Sequence, residues 1–452
     1  MDIDRTEGDV NLSDYRKAWA DSHLDEETKQ LLEEDAKYFL HQSLSTPCLN
    51  GLIACSGSYI TDNQGRTYLD FHGNNVHQVG YSNPKVVDAI KKQLDTLSFS
   101  PRRYTNRPAV DLAKKLVSLT GNTLQRVLFA PGGTLAMGMA LKIARTVTGR
   151  FKTISFWESF HGASLDSISV GGESLFRRGI GPLLPGTIQI PFPSSKNGET
   201  HSYVESLAYI EYIFKQEGDI AAVISEPIRY TTVTSPPAEY WQGVRALCDK
   251  YGALLIFDEI PTALGRSGKM FVHEHFGVTP DLLCLGKGLG GGIFPMAAVL
   301  ATERCNVNGS IAIGHYTHEK SPIGSVAALA TIEYIEEKDL LEGTVEKGEY
   351  FRAKLSEIKK HFDFIGDIRV VGLMIAIDIV TDSQTMTPSV EGAEFILYQA
   401  LSLGLSFKVS SGNVLALMPP LMVSYPDIDE SLSILTEAFK RLSEINAVKT
   451  GM

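Results

Sequence analysis

The middle of the chain alternates short apolar runs with segments of helical periodicity. Six runs are apolar almost throughout, which predicts buried strands because a half-exposed strand would alternate with polar residues: 126–130, 151–157, 220–226, 254–258, 282–285 and 296–301. Between them, residues 134–148 place an apolar side chain at every fourth position, and residues 237–251 follow two prolines and stop before Gly252. This alternation predicts an α/β fold on a mostly parallel sheet.

The last third of the chain has a different pattern, with longer helical segments and isolated apolar runs. These lie at 322–362, 373–380, 390–403, 414–418 and 427–446. A chain of 452 residues is too long for one compact domain. We therefore predict an N-terminal segment that packs with the small domain, a large α/β domain and a small α+β domain, at 1–75, 76–325 and 326–452. Residues 193–202 are expected to form a loop inside a domain.

The charge and cysteine content limit the class of partner and the compartment. A net charge of −11 argues against nucleic acid or an anionic membrane as the main partner. Residues 1–7 lack the basic and apolar stretches of a signal peptide, and no apolar run approaches the roughly 20 residues of a membrane span. Five cysteines without a C-x-x-C motif predict reduced thiols. We expect a cytoplasmic protein that acts on a small molecule and has no metal site.

Lys287 lies among five glycines in the segment 286–292, directly after an apolar run. Withdrawal from water lowers the pKa of an amine and makes it a better nucleophile. Two other interpretations are open: a lysine on a flexible surface loop, and a dinucleotide-binding loop, since 286–291 matches G-x-G-x-x-G. That match is weak, because residues 294–300 predict a strand where the dinucleotide motif requires a helix.

Three other segments at strand ends carry residues that suit a cofactor. Asp258 ends an apolar run, where a carboxylate needs a charged partner such as a protonated pyridine nitrogen, or else caps a loop. Gly133 and Thr134 begin a helix whose free N–H groups suit a phosphate, as in any strand–helix turn. Phe160 follows another strand and suits either stacking on a flat ring or a place in the core.

The order of these features along the chain resembles the class III aminotransferase family of fold-type I pyridoxal-phosphate enzymes. The resemblance runs over residues 59–420. Its motifs are Phe160-His161-Gly162, Asp258-Glu259-Ile260 and Met418-Pro419-Pro420-Leu421, with the segments 264–271, 286–292 and 321–330.

The resemblance implies a role for each matching residue. Lys287 holds pyridoxal 5'-phosphate as a Schiff base and shuttles protons, Asp258 pairs with the pyridinium nitrogen, and Glu226 lies near the cofactor. The remaining cofactor contacts come from ring packing and phosphate binding: Phe160, His161, Ile260, Gly133 and Thr134. Thr317 reaches the phosphate of the neighbouring subunit's cofactor, so the resemblance implies a homodimer with shared active sites.

Three departures from the family pattern concern the reaction. Residues 134–138 lack both glutamates of the family's S/T-E-A-x-E, and Pro261 replaces the glutamine of D-E-V-Q. Ala416 stands where many members have an arginine shortly before P-P-L. An enzyme that exchanges amino groups with a keto acid must bind a carboxylate, and a bidentate arginine is the usual solution.

Cations appear elsewhere in the chain. Arg102 and Arg103 lie in an early segment that lines the pocket in this family, and paired arginines suit a tetrahedral dianion such as a phosphonate, although a solvated basic turn is equally consistent. With the polar segments 38–45 and 72–80, they resemble a branch of the family that acts as an ammonia-lyase on a hydroxylated aminophosphonate. Two alternatives are an ω-amine:keto-acid aminotransferase and a catalytically silent homologue; intact Lys287 and Asp258 argue against the latter.

Overall fold

A computed structural model describes residues 13–42, 46–193, 202–306 and 309–450, with only the backbone for 447–450. The predicted loop at 193–202 lies outside the described residues except at its two ends, and so does the end of the polar segment 38–45. The chain divides into two compact units. One contains Asn83–Tyr230 and Thr234–Leu341, and the other contains the described residues before Asn83, Thr231–Val233 and the chain from Glu342. The domain boundaries at 75/76 and 325/326 stay predictions.

The unit that contains Asn83–Tyr230 is built on a seven-stranded sheet. Its strands, in spatial order, are Arg126–Ala130, Ala297–Ala301, Leu282–Leu285, Leu254–Asp258, Ile220–Ser225, Lys152–Phe156 and Thr187–Ile190. Ala297–Ala301 is antiparallel to both of its neighbours, and the other described strands share one direction. The six predicted strands and the mostly parallel sheet are confirmed. Thr187–Ile190 was missed because it is a short edge strand without a continuous apolar run.

Helices flank this sheet and bury its faces. They are Pro84–Leu94, Arg107–Leu119, Gly133–Thr148, Leu165–Val170, Tyr203–Glu217, Ala238–Tyr251 and Pro322–Glu337. Gly149 and Gly252 end two of them in the left-handed conformation, which favours glycine. The apolar side of the helix Gly133–Thr148 packs on the sheet around Ala222, Ile256 and Cys284. The helix and the sheet thus share one buried hydrophobic cluster.

The second unit contains two smaller sheets. The first consists of Leu52–Ser56, Tyr59–Asp62, Thr67–Asp70 and Leu405–Ser406; the second of Ile365–Val371, Met374–Asp382, Val414–Leu417 and Lys408–Ser410, with Thr387–Pro388 paired to Met374–Asp382. Its helices are Asp14–His23, Glu26–Tyr38, Leu340–Lys359, Val390–Ser402 and Tyr425–Thr450, the third beginning just before the unit boundary. The predicted α+β character is confirmed. The strand Ile365–Val371 was missed because Gly366, Asp367 and Arg369 interrupt its apolar residues.

None of the helices in the described ranges is long and apolar enough to span a membrane. All five cysteines carry free thiols.

Candidate active site

The parallel strands place several of the predicted residues at one edge of the large sheet. Strands that run in the same direction end on the same side, and open α/β sheets bind ligands beyond their carboxyl ends. Segments that follow five of these strands carry the predicted cofactor residues: Gly133 and Thr134, Phe160 and His161, Glu226, Asp258 and Ile260, and Lys287. Sequence order separated these residues, and the strand order brings them to one edge.

The start of the helix Gly133–Thr148 forms an open cradle. Gly132 precedes the helix without a side-chain cap. The Leu135 N–H donates to Gly132 O at 3.2 Å, which leaves the N–H groups of Gly133 and Thr134 available to a bound anion. A Cβ atom on Gly133 would lie 2.9 Å from Ile260 Cδ1, so only glycine leaves this space clear. The Thr134 hydroxyl lies 2.6 Å from Ser164 Oγ and accepts the Ser164 N–H at 3.0 Å. A phosphate would therefore meet a threonine already oriented by Ser164.

Asp258 and His161 form a buried pair beneath this edge. His161 Nδ1 lies 2.7 Å from Asp258 Oδ2, and Asp258 Oδ1 accepts the Ile260 N–H at 3.1 Å. The two side chains are 2% and 1% exposed. Two hydrogen bonds fix the carboxylate and leave lone pairs for a further donor, because an ionised carboxylate has about four acceptor sites. Asp258 therefore keeps acceptor sites for a donor such as a pyridinium N–H, and this pairing stays a prediction.

Glu226 is a second buried carboxyl near this pair. Its Oε2 accepts the backbone N–H of Tyr230 at 3.0 Å. Burial raises the pKa of Glu226, and the nearby charge of Asp258 adds to the rise. Two buried carboxylates close together favour a state in which one keeps its proton. Glu226 therefore keeps its proton more readily than an exposed glutamate does.

Lys287 is held in an unusual backbone conformation. Its φ is 46°, a left-handed value that a residue with a side chain adopts at some cost, and it begins the short turn Lys287–Gly290. A Cβ atom on Gly286 would lie 3.2 Å from Ile260 Cγ2, so glycine lets the chain pass close to the residue that also contacts Gly133. The strand Ala297–Ala301 follows, with one 3-10 turn at Lys287–Gly290 and no α-helix between, which confirms that the G-x-G-x-x-G match is not a dinucleotide motif.

Tyr230 is a residue of this site that the sequence analysis missed. Lys287 Nζ lies 5.7 Å from the centre of the Tyr230 ring. The only signal in the sequence is its position four residues after Glu226, in a turn that follows a buried strand. The four-residue spacing from Glu226 does not by itself predict that the Tyr230 ring lies near Lys287.

Phe160 and Ile260 have the surroundings expected of ring-packing residues. Phe160 is 36% exposed, so it is not a core residue, and its ring centre lies 4.5 Å from that of Phe176. The Ile260 side chain packs against both Gly133 and Gly286. A Cβ atom on either glycine would lie within 3.2 Å of an Ile260 side-chain carbon. Their roles on the two faces of a cofactor stay predictions.

The two predicted cations, and the threonine predicted to reach a neighbouring subunit, lie on the surface of this unit. Arg102 and Arg103 are exposed in the turn 101–104, and neither guanidinium has a hydrogen bond or ion pair to the residues that the structure describes. Thr317 is exposed at the start of the turn 317–320. Binding of a phosphonate by the arginines and of a partner's cofactor by Thr317 both stay predictions.

The departures from the family pattern have local structural counterparts. A Cβ atom on Gly138 would lie 2.3 Å from Asp166 Oδ2, so the carboxylate of Asp166 occupies the space beside the position of the absent glutamate. Ala416 is buried in Val414–Leu417, where it is paired with Ala376 and Lys408. In the same unit, Asp70 accepts the N–H groups of His72 and Gly73 at 3.0 Å each. Part of the polar segment 72–80 thus has a structural role.

The chemistry of this edge matches one cofactor. Lys287 offers an amine to an aldehyde, Asp258 offers a negative charge to a pyridinium nitrogen, and the helix start offers N–H groups to a phosphate. Pyridoxal 5'-phosphate carries all three groups. With the parallel sheet that positions these residues, the site defines a fold-type I pyridoxal-phosphate enzyme.

Residues 49–439 match the family described as Aminotransferase class-III, and the chain belongs to it. It is 47% identical to the (R)-1-hydroxy-2-aminoethylphosphonate ammonia-lyase of Vibrio splendidus (strain 12B01), over 97% of this chain and 95% of that protein. It is 33% identical to the alanine/serine racemase of Pyrococcus horikoshii, over 85% and 84%. The taurine:2-oxoglutarate aminotransferase of Bifidobacterium kashiwanohense, solved with PLP and glutamate, has a TM-score of 0.86 at 27% identity, over 93% of this chain and 99% of that one. The predicted family, fold class and cofactor are confirmed.

Proposed function

We propose that this protein is a pyridoxal-phosphate-dependent ammonia-lyase that converts (R)-1-hydroxy-2-aminoethylphosphonate to phosphonoacetaldehyde and ammonia. The observation that carries the proposal is the 47% identity, over nearly the full length of both chains, to a protein of that activity. Two racemases, an epimerase and several aminotransferases match at 31–36% identity. The intact Lys287 and Asp258 support an active enzyme over a silent homologue.

The residues of the sheet edge suit an elimination. When bound, pyridoxal 5'-phosphate supplies an electron sink for the carbon that bears the substrate nitrogen. Lys287 Nζ removes the proton from that carbon, and Asp258 holds the negative charge that a protonated ring nitrogen needs. The C–O bond on the adjacent carbon breaks, and the oxygen leaves as water with its electron pair. The remaining enamine takes up water and gives phosphonoacetaldehyde and ammonia, so no second substrate is needed.

Position 416 supports elimination over amino transfer. A transaminase must bind the carboxylate of its keto acid, usually through an arginine. Ala416 is 3% exposed, and the residue paired with it on the neighbouring strand Lys408–Ser410 is Lys408. A cation is therefore present at this level of the sheet, but it is a lysine on another strand. An ω-amine:keto-acid aminotransferase is the second candidate, and it would require a different carboxylate contact.

Assays with and without a keto acid separate these two functions. We expect sustained ammonia release from (R)-1-hydroxy-2-aminoethylphosphonate alone, at a rate that pyruvate or 2-oxoglutarate leaves unchanged. The matched control is 2-aminoethylphosphonate, which has no hydroxyl to lose and should release no ammonia. Sustained amino transfer to either keto acid, without ammonia release, would show that the enzyme is an aminotransferase.

We propose Arg102 and Arg103 as the anion site, and each should be tested separately because neighbouring side chains often point apart. Removing the one that contacts the phosphonate should cost about 1.5–3 kcal/mol, or roughly ten- to a hundredfold in substrate affinity. The absorbance of the resting enzyme should not change. Arg107→Ala is the matched control, because Arg107 is an exposed arginine paired with Asp111.

Unchanged substrate affinity in both Arg102→Ala and Arg103→Ala would exclude this turn as the anion site. Lys320 and Lys408 would then be the next cations to replace. An arginine placed at position 416 should not be required for activity, and because Ala416 is buried it should hinder packing.

The functional unit in this proposal is a homodimer with shared active sites. Thr317 is exposed, and the same unit has exposed apolar side chains at Leu128, Ile293 and Ile311, between 39% and 46% of their surface. A partner chain that covered these side chains would remove their apolar surface from water. Location in the cytoplasm stays a prediction.

A further inference from the structure

Buried anchors fix the backbone on the N-terminal side of Tyr230. Arg229, the residue before it, is 5% exposed and its guanidinium lies 4.3 Å from the centre of the Phe192 ring. Arg229 donates to Trp157 O at 2.6 Å and to Glu158 Oε2 at 3.0 Å. The Tyr230 N–H itself is bound to Glu226. The direction of the Tyr230 side chain is therefore set by a rigid turn.

Two basic side chains interact with Tyr230. One is Lys287, whose Nζ is 5.7 Å from the ring centre. The other is Arg266, which is fully buried and interacts electrostatically with Tyr230. Burial lowers the pKa of Arg266 to about 10, so it still carries its charge at neutral pH. A phenolate formed at Tyr230 would therefore have a positive charge nearby.

Elimination of water requires a proton on the departing oxygen, whereas amino transfer has no departing oxygen on the adjacent carbon. Hydroxide is a poor leaving group, since the pKa of water is about 15.7. A group that protonates the departing oxygen lowers this barrier, and it must act beside the base that takes the carbon-bound proton. The ring centre of Tyr230 lies 5.7 Å from Nζ of that base, Lys287, and the phenol O–H can donate a proton.

We propose that Tyr230 donates the proton on which the substrate hydroxyl leaves as water, a role that rests on the proposed lyase function. The O–H bond of Tyr230 breaks as the C–O bond breaks, and the proton joins the departing oxygen. Tyr230 becomes a phenolate, while Lys287 has become an ammonium by taking the carbon-bound proton. Transfer of one proton from Lys287 to Tyr230 restores both residues, so the cycle needs no further reactant.

The test is Tyr230→Phe in the enzyme loaded with its cofactor. Elimination from the hydroxy substrate should fall about 10²–10⁴-fold, the range of general acid catalysis. The absorbance of the resting enzyme should stay unchanged. In D₂O, recovered substrate should gain deuterium at the carbon that bears nitrogen, because Lys287 still removes that proton. The analogue with fluorine in place of the hydroxyl should be processed near the wild-type rate, since fluoride leaves without a proton.

Tyr240→Phe is the matched control. Tyr240 is buried, and its hydroxyl lies 3.0 Å from Ser206 Oγ in another part of the same unit. The same loss of a hydroxyl there should affect thermal stability but not the ratio of rates on the hydroxy and fluoro substrates.

Each other outcome overturns the proposal. Hydroxy-substrate turnover within tenfold of wild type in Tyr230→Phe would mean that another group donates the proton. Equal losses on both substrates, with deuterium exchange also lost, would make Tyr230 a positioning residue. Failure of the wild type to release ammonia would refute the lyase function and this role together. A result that refutes the role of Tyr230 alone differs from it, because the wild type then still releases ammonia.

Discussion

Lys287→Ala should reduce turnover by roughly 10⁴-fold or more, because general acid–base catalysis alone contributes about 10²–10⁴-fold and the covalent anchor is lost as well. Folding should be preserved. Alanine and lysine meet the same penalty at the φ of 46° found here, so the substitution adds no backbone strain. The loss should therefore be one of chemistry.

Reduction with borohydride followed by peptide mass analysis measures the anchor directly. In the wild type, the peptide that contains Lys287 should gain the mass of the reduced cofactor, and in the variant no peptide should. Lys338→Ala is the control, since Lys338 is an exposed lysine at the end of the helix Pro322–Glu337. Full turnover by Lys287→Ala, with a cofactor covalently held elsewhere, would show that Lys287 is not the anchor.

Asp258→Asn should leave the cofactor bound and lower turnover by roughly 10²–10⁴-fold. Removing one partner of a buried ion pair costs about 3–5 kcal/mol. Asparagine keeps the shape of aspartate and can still meet His161, whose Nδ1 lies 2.7 Å from Asp258 Oδ2, so the loss reflects charge more than packing. Ammonia release measures the rate, and absorbance shows whether the ring nitrogen remains protonated.

Glu259→Gln is the matched control for Asp258→Asn. Glu259 is the next residue and is equally buried, but its carboxylate accepts the N–H groups of Val272 and His273 at 2.5 and 2.8 Å. Its substitution should lower the melting temperature and leave turnover nearly unchanged. Wild-type turnover in Asp258→Asn would mean that a different group pairs with the pyridinium.

The central strands were predictable because burial on both faces selects continuous apolar runs. Leu254–Asp258 and Leu282–Leu285 were predicted with the bounds that the structure has. Predictions failed where the pattern was interrupted, as in Ile365–Val371, whose polar residues hide a strand of an antiparallel sheet. Lys287 and Asp258 could be selected as candidates because a lysine among glycines and a carboxylate after an apolar strand are both unusual, and their roles stay predictions.

By itself the sequence indicated the fold class and the cofactor, and it predicted which residues would meet the aldehyde, ring nitrogen and phosphate of that cofactor, because local patterns and their order along the chain carry that information. Only the tertiary structure decided which of these residues touch. The 2.7 Å contact of His161 with Asp258, the position of Tyr230 beside Lys287 and the filling of the space at Gly138 by Asp166 join segments far apart in the chain. Such contacts depend on strand order and packing, which no local pattern specifies.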